Sequence, residues 1–213
     1  MKSLYIYFLA ASLACTSCSD SWLDLNPSTS VPTDQAFTTL ENAQTALNGI
    51  YRLASAHSYY GDNFFYFGDC RAADVQARMS KGDGKRVSPY YEYNVKSTDS
   101  FNTSLPWNQV YKVIRQINNL IAAIEGGQVN TTDTQALDEI KAQALAMRGL
   151  ALYDLIRVFA MPYSYDNGQS LGVPIVTTAT EPDSKPERNT VAECYDQIIA
   201  DLTGSLAGLS KEK

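Results

Sequence analysis

ALDEIKAQALAMRGLALYDLIRVFAMP, residues Ala136 to Pro162, is the longest unbroken helical pattern in this chain of 213 residues. Ile140, Ala144, Met147, Ala151, Leu155 and Val158 recur at steps of three and four, so they share one helix face. Leu145, Leu152, Ile156 and Phe159 form a second stripe beside the first. The second half is therefore apolar around most of its circumference, the pattern of a helix buried on several sides. Thr132 with Gln135 fits a capping box at its start, and Pro162 stops it. Such a helix needs neighbours, and three other segments are patterned to supply them.

The first follows Thr33, an N-cap residue, with Asp34 and Gln35 at the positive end of the helix. Phe37, Leu40, Ala43, Leu47, Ile50 and Ala54 then predict an amphipathic helix from Ala36 to about His57. Gly49 inside it costs about 1 kcal/mol against Ala and implies a close helix crossing. Pro106-Trp107 opens the second segment, where Val110, Ile114, Ile117, Ile121 and Ile124 share a face and Gly126-Gly127 ends it. The short loop that follows makes an antiparallel hairpin with the organising helix. In the third, Thr190 and Glu193 form a capping box. Val191, Tyr195, Ile198, Leu202, Leu206 and Leu209 form its stripe, which reaches the chain end with no helix after it to cover it. The expected class is all-α, tetratricopeptide-like helix pairs with long irregular loops, although the 34-residue repeat is not clean.

Composition narrows the function classes. The net charge is −6 and no basic run is present, which excludes a phosphate-binding surface for nucleic acid. Hydrophobic content of 45% with 19% charged residues describes a globular chain. Lys2 and the apolar run Leu4 to Ala14, too short to span a bilayer, read as a secretory signal. It ends in LACTSCSDSW, where small residues before Cys mark a lipoprotein cleavage site. Cys15 and Cys18 both fit; Cys18 is preferred because the polar Ser19-Asp20 follows it directly. The expected layout is a signal peptide over 1–17, an extended arm over 18–32 and a helical domain over 33–213, incomplete at its C-terminus. Cys70 and Cys194 remain, either joined or as two buried free thiols.

Ser58 to Pro106 concentrates aromatics without clear periodicity, apart from a short helical pattern near Arg71 to Met79. Long loops of this kind are usually functional, and the aromatic density argues against disorder. Sugar rings stack their C–H faces on aromatic planes, while their hydroxyls need carboxylates, amides or guanidinium groups. Tyr59, Tyr60, Tyr90, Tyr91 and Tyr93 are candidate planes; Asp69, Arg71, Asp74 and Arg78 are candidate polar partners. Phe64, Phe65 and Phe67 read as loop packing and Trp107 as core, while Arg148 and Arg157, on the buried helix, are expected in internal ion pairs.

Catalysis finds no support. His57 is the only His and reads as a surface residue at a helix end, so no His triad or metal cluster can form. Asp69 and Asp74 read as solvated carboxylates rather than a glycosidase pair. GDGK at Gly82 to Lys85 lacks the phosphate-loop spacing. A protein that is not an enzyme, with no cofactor and no metal, is expected.

Five stretches in order resemble the SusD/RagB family of outer-membrane nutrient-binding lipoproteins. They are SCSDSWLDLNP from Ser17, PTDQAFTTLENAQTALNGIY from Pro32, WNQVYKVIRQINNLI from Trp107, AMRGLALYDLIRVFAMPYSYDNGQSLGVPIV from Ala146 and RNTVAECYDQIIADL from Arg188. Many members have Arg at the position of Met161 and Ala at that of Gly149, and they are far longer. The resemblance implies a lipid-anchored outer-membrane protein, attached through Cys18. It would capture an oligosaccharide or other nutrient and deliver it to a SusC-like TonB-dependent transporter. The alternative is a helical-repeat adaptor lipoprotein that binds a protein partner.

Overall fold

A computed structural model describes residues 36–72, 90–94, 106–178 and 183–209. All of them lie within one compact unit, Ala36–Lys213. Among the described residues, five α-helices of more than one turn form: α1 Leu40–Ala54, α2 Asn63–Arg71, α3 Pro106–Glu125, α4 Thr134–Phe159 and α5 Val191–Ser205. No strand occurs among the described residues, only isolated bridges between Thr39 and Asn130 and between Leu171 and Thr190.

Local chemistry explains most boundaries, and two starts differ from expectation. α1 begins at Leu40 and not near Ala36, because Thr39, in extended backbone, accepts a hydrogen bond from the Asn42 amide and caps it. The α4 cap is Asp133 and not Thr132; its carboxylate accepts from the Ala136 amide at 3.0 Å. α3 ends as expected. Gly127 has φ +67°, its amide reaches the Ile124 carbonyl, and the Gln128 amide reaches that of Ala123, a Schellman closure that only a left-handed residue permits. Both halves of the Thr190–Glu193 capping box form at α5.

The organising helix is central. Along α3 and α4, Glu125 meets Lys141, Asn118 meets Arg148 and Trp107 meets Phe159, so the two run antiparallel. Arg148 meets Asp201 and Tyr153 meets Tyr195, so α4 and α5 are antiparallel too. α1 packs on both α3 and α4. The result is a tetratricopeptide-like stack whose core is formed by Leu47 and Ile50 of α1, Val113, Ile117 and Leu120 of α3, and Ala144, Ala151 and Leu155 of α4. Cys70 and Cys194 are separate, buried free thiols, and burial pushes both above the ordinary thiol pKa.

Gly49 does not mark a helix crossing. It is exposed, and a Cβ there would meet nothing within 4 Å. Gly49→Ala is therefore expected to stabilise the chain by about 1 kcal/mol, the propensity difference alone. Urea denaturation checks this; an unchanged or lower midpoint would mean the position serves a contact after all.

The expected uncovered α5 stripe is present in part, with Ile198 buried instead of exposed. Val191, Cys194, Ile198, Asp201 and Ser205 face inward, while Leu202 and Leu206 are exposed. Asp201 takes the inward position because α4 presents a buried Arg148 opposite it. Arg148 Nε and Nη2 donate to the two Asp201 carboxylate oxygens at 2.8 and 2.7 Å, a bidentate pair. Nη1 donates to Asn118 Oδ1 at 3.0 Å and to the Thr177 carbonyl at 3.2 Å. Asn118 Nδ2 then donates to the Val176 and Thr178 carbonyls. One network thus ties α3, α4 and α5 to the segment after α4, and the internal pair expected of Arg148 is present.

Candidate functional site

The stretch expected to be an irregular aromatic loop is partly helical. A single π-turn, His57–Gly61, leads into α2. The NFFYFGDC pattern of α2 hides its period because rings sit all round it: Phe64 packs on Tyr59 and Tyr60, Phe67 on Tyr90, and Phe65 is exposed. His57 is exposed as expected, with Nδ1 2.9 Å from Asp62 Oδ2.

Two of the candidate planes are closed to ligand. Tyr59 is 0% exposed, and its hydroxyl donates to Asp154 Oδ2 of α4 at 2.6 Å. Tyr90 is buried against Phe67. Tyr59 and Tyr90 are therefore structural rings, because their faces are already spent on protein. Tyr60 stacks on Tyr59 with ring centroids 4.1 Å apart and also donates to Asp154 Oδ2. Burial, with Asp154 beside them, pushes the Tyr59 hydroxyl far up and that of Tyr60 up to about 12, so both stay protonated donors at neutral pH. Arg157 Nη2 donates to the other Asp154 oxygen at 2.7 Å. Asp154 thus pins the π-turn to the organising helix through two tyrosine donors, and the ion pair expected of Arg157 is present.

The remaining candidates sit at the far end of α2. Tyr91 and Tyr93 are exposed, Tyr93 by 67%. The Tyr93 hydroxyl donates to the Arg71 carbonyl, and its left-handed backbone (φ +54°) turns the ring over the Arg71 guanidinium, 5.8 Å from the ring centre. The same guanidinium lies 4.7 Å from the Phe67 ring. Asp69 and Arg71 are both exposed on this helix. The structure therefore brings Arg71 and Tyr93 together at one end of α2, with exposed Tyr91 two residues before Tyr93 in the chain. Cys18, Asp74 and Arg78 lie outside the described residues.

A second feature went unnoticed in the sequence. A cleft of about 420 Å³ opens where α2 faces the end of α4 and the start of α5, lined among others by Phe64, Phe67, Arg157, Met161, Tyr163 and Tyr195. Tyr163 stands in a single 3₁₀ turn, Tyr163–Tyr165, and meets Tyr195 edge to face at 5.6 Å; Tyr195 meets Tyr153 in turn at 6.4 Å. Gly168 (φ +78°) allows the Tyr163 ring to lie on it, since a Cβ there would stand 2.7 Å from that ring. Arg188 fixes the neighbouring loop, donating to the Gly172 and Leu171 carbonyls and to that of Phe159 at the end of α4. The available signal was Tyr153 and Arg157, four apart on a helix otherwise apolar around most of its girth. No group of three or more His, Cys, Asp or Glu that could hold a metal occurs among the described residues.

Comparison with known proteins agrees with this architecture. The SusD-like family model, described as starch-binding associating with outer membrane, matches residues 21–213. The SusD-like protein P2 of Formosa agariphila is 31% identical over 95% of this chain and 37% of its own length. A crystal structure of a SusD superfamily protein from Bacteroides thetaiotaomicron is 63% identical with a TM-score of 0.77, over 82% of this chain and 38% of that one. Another, from Bacteroides vulgatus, is 31% identical with a TM-score of 0.74, over 83% of this chain and 39% of that one. The chain thus spans well under half the length of the relatives it matches. With five motifs in order, a stack of antiparallel helices and a family match over residues 21–213, this chain belongs to the SusD-like family.

Proposed function

We propose that this protein captures oligosaccharide at the cell surface without catalysis and passes it to a TonB-dependent outer-membrane transporter. Residues 1–17 act as its signal peptide, 18–32 as an extended arm, 33–213 as its helical domain, and Cys18 carries the lipid. The observation that carries the reading is the exposed Tyr93 ring held over Arg71 beside exposed Tyr91, a fixed aromatic plane next to a guanidinium donor. Such a pair offers a sugar a stacking face and a hydroxyl partner at once. Calorimetric titration with maltohexaose tests it. Tyr93→Ala is expected to weaken binding roughly tenfold or more, by analogy with ring stacking energies of about 1–3 kcal/mol. Equal binding by the parent and by Tyr91→Ala and Tyr93→Ala would remove these rings from the site. In the same protein Cys18→Ala should release the chain from membranes, because acyl chains contribute about 0.8 kcal/mol per buried CH₂; a variant that stays bound would move the attachment elsewhere.

One observation favours the adaptor reading. Ile199, Leu202 and Leu206 are exposed along α5, the kind of apolar face a protein partner covers. A glycan array separates the two: an adaptor leaves every sugar unbound.

A further inference from the structure

The cleft between α2 and the α4–α5 end adds what the exposed Tyr93–Arg71 surface lacks: walls around its rings and donor. We infer that it is a subsite for one uncharged pyranose ring of the same oligosaccharide, continuous with the Arg71–Tyr93 surface. The inference rests on the carbohydrate-binding reading above and names a place for it that the sequence did not suggest.

Size is the first argument. A volume of about 420 Å³ lies within the range of small-ligand sites and is larger than a gap between packed side chains. Ring geometry is the second. Phe64 and Phe67 of α2 line the cleft together with Tyr163 and Tyr195 from the α4–α5 end, so a sugar ring entering it meets aromatic carbon from both parts of the chain. Tyr163 is 46% exposed yet fixed, seated on Gly168 and edge-on to Tyr195. Its face therefore need not be ordered on binding.

Charge selects the ligand class. The Arg157 guanidinium lies 4.8 Å from the Tyr153 ring centre and 5.4 Å from that of Phe64, and one nitrogen is held by Asp154. Its positive charge is already balanced by a buried carboxylate, so little is left to attract an anion. Its other N–H groups form a rigid donor fork suited to adjacent hydroxyls. A lipid chain would gain nothing from that fork, whereas a neutral polyhydroxy ring uses fork and rings together. Continuity comes from Phe67, whose ring touches the Arg71 guanidinium on the α2 surface and also lines the cleft.

Gly68 supplies a clean test. It lines the cleft, and a Cβ there would meet nothing within 4 Å, so a larger side chain grows into open space. Leu is also a better helix former than Gly, so Gly68→Leu should fold at least as well as the parent. The full chain is titrated with maltohexaose as parent, Gly68→Leu, Tyr163→Ala and Gly49→Ala, with melting curves for each. The expected result is binding weakened tenfold or more by Gly68→Leu and by Tyr163→Ala, with Gly49→Ala like the parent. If Tyr163→Ala melts early, Gly68→Leu alone decides. If both cleft variants bind like the parent while Tyr91→Ala or Tyr93→Ala does not, the subsite is overturned and the carbohydrate reading stands. If the parent binds neither maltohexaose nor any neutral oligosaccharide of a glycan array, the reading and the subsite fall together.

Discussion

Asp201→Ala is expected to destabilise the chain by about 3–5 kcal/mol, the largest effect of any single side-chain truncation considered. The carboxylate is buried and answers Arg148 with both oxygens, while one of them also accepts from Gln197 Nε2 at 2.9 Å. Removing it leaves a guanidinium on α4, about one-tenth exposed, with only Asn118 and the Thr177 carbonyl as partners. The cost arises from that stranded charge more than from the lost attraction. It follows that Asp201→Leu combined with Arg148→Met should recover much of the stability, since no charge is then left in the interior. Urea denaturation of the single and double variants gives the comparison. A loss below about 1 kcal/mol for Asp201→Ala would mean that water reaches Arg148 and that the pair is a surface one.

Asp154→Ala should have the next largest effect, about 2–3 kcal/mol, and a more local one. It removes the acceptor of the Tyr59 and Tyr60 hydroxyls together with the partner of Arg157. Arg157 is half exposed and can turn to water, but the Tyr59 hydroxyl is sealed and stays unsatisfied. Because this carboxylate is what holds the π-turn to α4, the loss should appear as faster amide exchange over residues 57–71, with α3 and α5 unchanged. Tyr59→Phe, which removes one donor and keeps the ring, should cost less. Uniform exchange across the chain after Asp154→Ala would show that Asp154 supports the whole core and not this segment. The subsite depends on the same anchor, since Phe64 and Phe67 of α2 and Arg157 all line the cleft.

The helices with a strong 3.6-residue period were legible in the sequence, because their burial is local in origin. Leu47 and Ile50, Ile114 and Ile117, and Ala151 and Leu155 recur at helical spacing and are buried in the core. Gly126-Gly127 and Thr190–Glu193 mark ends through backbone chemistry contained within a few residues. α2 was not legible in that way, since rings on every side erase the period by which a helix is recognised.

The candidate site divides along the same line. The tyrosine-rich stretch as a candidate sugar-binding surface followed from residue types; which of its tyrosines are exposed did not. Tyr59 and Tyr90 are buried and Tyr91 and Tyr93 exposed, although all four belong to one aromatic-rich stretch. The deciding partners lie elsewhere in the chain, Asp154 of α4 for Tyr59 and Phe67 of α2 for Tyr90. α5 teaches the same lesson: the hydrophobic pattern gave no sign that Asp201 is buried, yet it is, because Arg148, on another helix, requires a carboxylate. By itself the sequence determined the strongly periodic helices, the Gly126-Gly127 and Thr190–Glu193 ends and the family, all set by neighbours within a few residues or by ordered motifs. The tertiary structure alone decided which aromatic faces are free and where a cleft opens, because those depend on charges and rings brought together from distant helices.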